Sequence, residues 1–132
     1  MERLLISTVA MLALGTSAKT ASVTQEQTRC NADAQEIYAY PWNETSRRYP
    51  GHFNTRWAKC LMAIDRYMNG SRVIFIIDAN ERDKNGESHV YGKWMSNGSN
   101  IYYCHFEPPN AEETTCASWK QFTDFMSRAM SE

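Results

Sequence analysis

Tyr49, His52, Phe53, Arg56, Trp57 and Lys59 crowd aromatic rings and cations into one short stretch of this chain. Rings that stack on bases, beside cations that pair with phosphate, are what a single-stranded nucleic-acid surface needs. The same residues also fit a plainer arrangement, with Trp57 in a core, Phe53 packed beside it and the cations solvated. A second set, His89, Tyr91 and Lys93, alternates along the chain. On a strand these three side chains share one face, which is the expected ligand-facing side of a sheet. Tyr91, Trp94, Tyr102 and Tyr103 are expected to pair across strands and fill a core rather than to form a binding platform.

Other chemistries find less support. No G-x-S-x-G elbow accompanies the serines and histidines. There is no C-x-x-C, and His52, His89 and His105 show no zinc-ligand spacing. Asp78, Asn80, Asp83 and Asn85 do not follow the calcium-loop pattern. No metal and no cofactor is expected. The formal net charge of −1 gives no whole-molecule pull toward nucleic acid or anionic membrane. Locally the charge is uneven. Arg47, Arg48, Arg56, Lys59, Arg66 and Arg72 face a single acid, Asp65, whereas acids dominate from Asp78 onward.

The first residues read as an export signal. Met-Glu-Arg precedes an apolar and small-residue run from Leu4 to Leu14, followed by Gly15, Thr16, Ser17 and Ala18. The run is too short to span a bilayer. The expected organisation is a signal peptide over 1–18 and one secreted domain over 19–132, with no membrane span. Four cysteines in a small exported chain argue for two disulfides. Three pairings are open on spacing alone. Sequons at Asn43, Asn69 and Asn97 are candidate glycan acceptors on turns.

The elements follow from hydrophobic period and turn residues. A helix from Thr24, with Gln27 completing a capping box, or from Asn31, runs to about Tyr40 before Pro41. A second helix is expected over 54–68, capped by Asn54, its face formed by Trp57, Cys60, Leu61, Ile64 and Met68 and its stop by Asn69-Gly70. Val73 to Ile77 reads as a buried strand. Asn85-Gly86 and Asn97-Gly98 mark hairpins leading to strands over 89–95 and 101–106. A last amphipathic helix, capped at Thr114 or Thr115, carries Cys116, Trp119, Phe122, Phe125, Met126 and Met130. The fold class is α+β: a three-strand antiparallel meander packed with two to three helices and stapled by disulfides. Cys60 and Cys116 on two apolar helix faces would pair, leaving Cys30 with Cys104.

Two stretches resemble the guanyl-specific fungal ribonucleases and the secreted RNase-like effectors of cereal mildew fungi. One is Tyr49-Pro50-Gly51-His52-Phe53-Asn54; the other runs from Ser71-Arg72-Val73-Ile74-Phe75 to Cys104. The resemblance implies that His52 stands near a catalytic imidazole, with Gly51 shifting it by one place. It also implies Tyr49 as the flanking phenol, Arg72 as a phosphate-binding arginine, and Lys93 where the second imidazole falls. The glutamate base of the family has no counterpart in this reading. Cleaving RNA needs a base for the 2′-OH, an acid for the leaving oxygen and a cation on the phosphate. A lysine in the place of the acid holds its proton too tightly unless burial depresses its pKa.

The expected function is therefore a secreted, disulfide-bonded, RNase-like effector or virulence-type protein. It would be a monomer that binds a host or partner protein, or RNA, without catalysis. Tyr49, His52, Arg56, Arg72, His89, Tyr91 and Lys93 are its binding candidates. An active extracellular ribonuclease using His52, Arg72 and either His89 or Lys93 is the first alternative. A secreted inhibitor or immunity-type protein inserting Tyr40-Pro41-Trp42 into an enzyme cleft is the second.

Overall fold

The computed structural model describes residues 15–38 and 47–132. Helix α1 spans Gly15–Tyr38. Strands β1 (Arg47–Arg48), β2 (His52–Asn54), β3 (Lys59–Met68), β4 (Ser71–Arg82), β5 (Ser88–Asn97), β6 (Asn100–Phe106) and β7 (Thr114–Thr115) follow, and α2 covers Trp119–Ala129. The strands form one sheet in the order β1-β3-β4-β5-β6-β7, with β2 also paired to β3. Every pairing is antiparallel. The α+β class holds, but its centre is four long consecutive strands rather than three. Two helices lie among the described residues. Neither is long and apolar enough to cross a membrane.

The additional strand is the segment expected to be a helix. Cys60 to Ile64 are five consecutive buried residues. Cys60, Met62 and Ile64 pack with Cys30, Ala34 and Ile37 of α1, while Leu61 and Ala63 pack with Phe122, Phe125 and Ala129 of α2. A short apolar run fits either period; burial on both faces decides for the strand. Asn69 and Gly70, expected to stop a helix, turn the β3–β4 hairpin with φ of 51° and 80°. Positive φ at both central residues suits the twist of such a hairpin. Asn54 does accept the backbone N–H of Trp57 at 2.8 Å, but it caps a turn. Fully buried, its amide also donates to the carbonyl of Ala129 at 2.9 Å. That satisfies one of the orphan acceptors at the end of α2.

Helix α1 begins upstream of Thr24, so Gln27 has no capping box to complete. Its side chain instead brackets β2, donating to Gly51 O at 3.1 Å and accepting from Phe53 N at 2.9 Å. Gly51 is required by this approach: a Cβ there would sit 2.7 Å from Ala34 Cβ. Tyr40, Pro41 and Trp42, the expected helix end and inhibitory loop, lie outside the described residues.

The disulfides join Cys30 to Cys60 and Cys104 to Cys116, with Cα separations of 5.2 and 5.1 Å. The expected Cys30–Cys104 and Cys60–Cys116 pairing is corrected. On a strand, Cys60 turns toward α1 while its neighbour Leu61 turns toward α2. Cys116 precedes α2, which is capped at Ser118 rather than at Thr114 or Thr115. Thr114 and Thr115 pair with β6, and Cys116 N donates to Cys104 O at 3.1 Å.

The β4–β5 pairing carries a bulge. Ile76 faces Gly92 and Ile77 faces Val90, so Tyr91 is an extra residue. An extra residue breaks the two-residue alternation. Tyr91 and Trp94 consequently both enter the α2-side core. Lys93 emerges on the opposite face, its ammonium over the rings of Phe75 and Tyr103. The expected shared face of His89, Tyr91 and Lys93 is thus split. Of the three sequons, Asn69 and Asn97 sit on exposed hairpin turns, and Asn43 lies outside the described residues.

Candidate functional site

The sequence-selected residues are spread over the sheet rather than gathered in one place. Tyr49 and His52 line a groove of about 500 Å³ between β2 and α2, with Ala63 at its floor and Met126 and Met130 on its helical wall. Both Gly51, which lets β2 press against α1, and the Gln27 amide fix the backbone that carries His52. Among the described residues, the enclosed imidazole Nε2 of His52 meets no hydrogen-bond partner. Burial lowers its pKa from the usual histidine value, so the ring is neutral at pH 7. The groove offers an apolar seat and adaptable thioethers, and among the described residues that line it none is a partner acid or base for His52. It suits holding an apolar side chain more than moving a proton.

A pH dependence follows. The unfolded chain takes up a proton on His52 near pH 6.5, whereas the folded chain resists protonation until lower pH. Stability therefore falls as pH drops below about 6.5 toward the folded pKa, and is unaffected by this residue above it. Thermal melts of wild type and His52→Gln from pH 7.5 to 5 check this, with the variant expected to show the flatter profile.

Arg72 lies elsewhere. Its guanidinium forms a two-pronged pair with Asp65, at 3.1 and 2.8 Å, and covers the ring of Trp119 at 4.8 Å. This hydrogen bond raises its pKa further. Register places Arg72 opposite Tyr67 of β3 and His52 opposite Leu61. Six positions along a strand separate the two by roughly 20 Å. Lys93 projects from the other sheet face, over Phe75 and Tyr103. His52, Arg72 and Lys93 therefore do not line one phosphate-sized pocket.

His89 and Tyr91 stay together at the bulged end of the sheet, with ring centroids 4.5 Å apart. Around them lie Lys59, read in the sequence with the Tyr49–Trp57 cluster, and three acids given no site role there: Asp78, Glu81 and Glu107. Asp78 is 1% exposed. Its Oδ1 accepts the backbone N–H groups of Asn80 and Glu81, and its Oδ2 takes the Tyr91 hydroxyl at 3.5 Å. Desolvation, reinforced by Asp78, pushes the Tyr91 phenol up to about 12 and keeps it a donor. Lys59 is 2.5 Å from Glu81, which raises the lysine pKa and lowers that of the glutamate. Arg56 pairs at 3.3 Å with Glu132 at the end of α2.

No protein-family model matches this chain, and neither a curated protein nor a solved structure gives a significant match.

Proposed function

We propose that this is a secreted, RNase-like effector-type protein that binds a host or partner macromolecule and does not cleave it. The carrying observation is the scatter of the acid–base candidates. His52 stands in an apolar groove, Arg72 is engaged by Asp65 and Trp119, and Lys93 projects from the other face. Proton transfer to and from a single phosphate demands groups within hydrogen-bond reach of it, and these are not. Two disulfides and the apolar run at residues 4–14 support export to an oxidising space. The Tyr49–His52 groove is the docking point in this reading. An apolar anchor from the partner fills it, in the manner of a buried interface hot spot.

Affinity capture with the oxidised protein and with Met126→Lys tests this. A partner retained by wild type and lost with the folded variant is the expected result. Equal capture by both moves the interface off the groove and overturns the assignment.

A further inference from the structure

On the other flank of α2, a groove runs past Trp57. It consists of two adjoining hollows of about 380 and 410 Å³, which share Trp57 and the segment Pro108–Pro109–Asn110–Ala111 as walls. Each is of a size to admit one or two sugar rings. Trp57 is half-buried and braced by Tyr91 and Phe125, with centroids at 6.0 and 5.8 Å. The two prolines stiffen the facing wall. Asn110 of that wall and Ala58, which follows Trp57, hold φ of 59° and 53°. Asparagine adopts this left-handed backbone readily, whereas for alanine it is costly.

The polar groups are of both signs. The first hollow has Lys59 with Glu81 and Glu107, over the buried carboxylate of Asp78, and His89 stands 3.9 Å from Glu107. The second has Arg56 and Arg128 with Glu132. A polyanion meets the carboxylates of the first hollow, and a polycation meets the arginines of the second. A ligand rich in hydroxyls suits both, because each hydroxyl donates to a carboxylate and accepts from a cation. The apolar face of a sugar ring complements the indole, and concave sites of this kind use a few polar groups to fix orientation. Among the described residues, no His, Cys, Asp and Glu side chains gather as metal ligands.

We propose that this groove binds a neutral oligosaccharide, one ring lying against Trp57 and its hydroxyls bonded by Glu81, Glu107 and Asn110. The groove is separate from the Tyr49–His52 docking point, and either assignment stands without the other.

Calorimetric titration of the oxidised protein with cellohexaose, laminarihexaose, chitohexaose and mannohexaose, alongside tryptophan fluorescence, tests this. Saturable binding of at least one neutral hexasaccharide is expected. Its Kd should rise by about tenfold or more in Glu107→Gln, which removes charge-assisted hydrogen bonding while preserving shape. Trp57→Phe, which keeps an aromatic brace in the core, should weaken binding in the same direction. Absence of saturable binding to all four sugars up to about 10 mM overturns the proposal. So does binding undiminished in both variants, or a preference for a heparin hexasaccharide or hexa-arginine over every neutral sugar.

Discussion

Replacing Cys30 and Cys60 together by alanine should lower the unfolding free energy by about 3–4 kcal/mol, the loss expected for opening a loop of this length in the unfolded chain. The bridge spans 30 residues and is the covalent tie between α1 and the central strand β3. Both cysteines are fully buried beside Ala34, Ile37 and Met62, so small cavities add to the loss. Cys104 with Cys116 closes only 12 residues, and its removal should cost nearer 3 kcal/mol. A small domain holds only about 5–15 kcal/mol in all. The first double variant should therefore unfold at markedly lower urea concentration, and the fully reduced protein should be the least stable. A larger loss from the short bridge than from the long one would contradict the α1–β3 staple. So would recovery of a Cys30–Cys104 peptide from digests made without reductant.

Arg72→Ala should destabilise the fold by about 2–4 kcal/mol, more than a surface arginine warrants. Its partner Asp65 is 4% exposed and receives both guanidinium hydrogen bonds. Taking away the arginine strands a buried carboxylate and uncovers the face of Trp119. The guanidinium itself is about one-third exposed, which holds the expected loss below that for a fully enclosed pair. Asp65→Asn combined with Arg72→Met removes both charges and keeps the packing over Trp119, so it should recover most of the loss. Urea titrations of Asp65→Asn, Arg72→Met and the double variant close the cycle. Strict additivity would mean that the two side chains act independently and that Arg72 is not primarily a structural partner of Asp65.

Particular residues show what the sequence made legible. Val73 to Ile77, the Asn85-Gly86 and Asn97-Gly98 turns, and the helical spacing of Phe122, Phe125 and Met126 each allow one reading, and strands β4–β6 and helix α2 follow from them. The stretch from Trp57 to Met68 allows two. Cys60, Leu61, Ile64 and Met68 satisfy a helical period, but Cys60 to Ile64 is also an unbroken run, and only the apolar cover supplied from both sides selects the strand. The disulfide pairing was tied to that choice, because it sets which way Cys60 faces. The bulge at Tyr91 leaves no trace in the alternation of His89, Tyr91 and Lys93, so the emergence of Lys93 on the far face could not be read. Asp65 was visible as the lone acid between Arg47 and Arg72. Its partner became evident only from the hairpin register that sets β3 beside Arg72. Asp78, at the end of an apolar run, carried no signal of the Lys59, Glu81 and Tyr91 groups that converge on it.

The most direct check of binding without catalysis is hydrolysis of single-stranded RNA by the oxidised protein from about pH 4 to 9, a range that covers the acid–base pairs such a reaction uses. No 2′,3′-cyclic phosphate ends above the buffer rate is the predicted result at every pH. Accumulation of such ends in a bell-shaped pH profile, abolished in a folded His52→Ala variant, would contradict it.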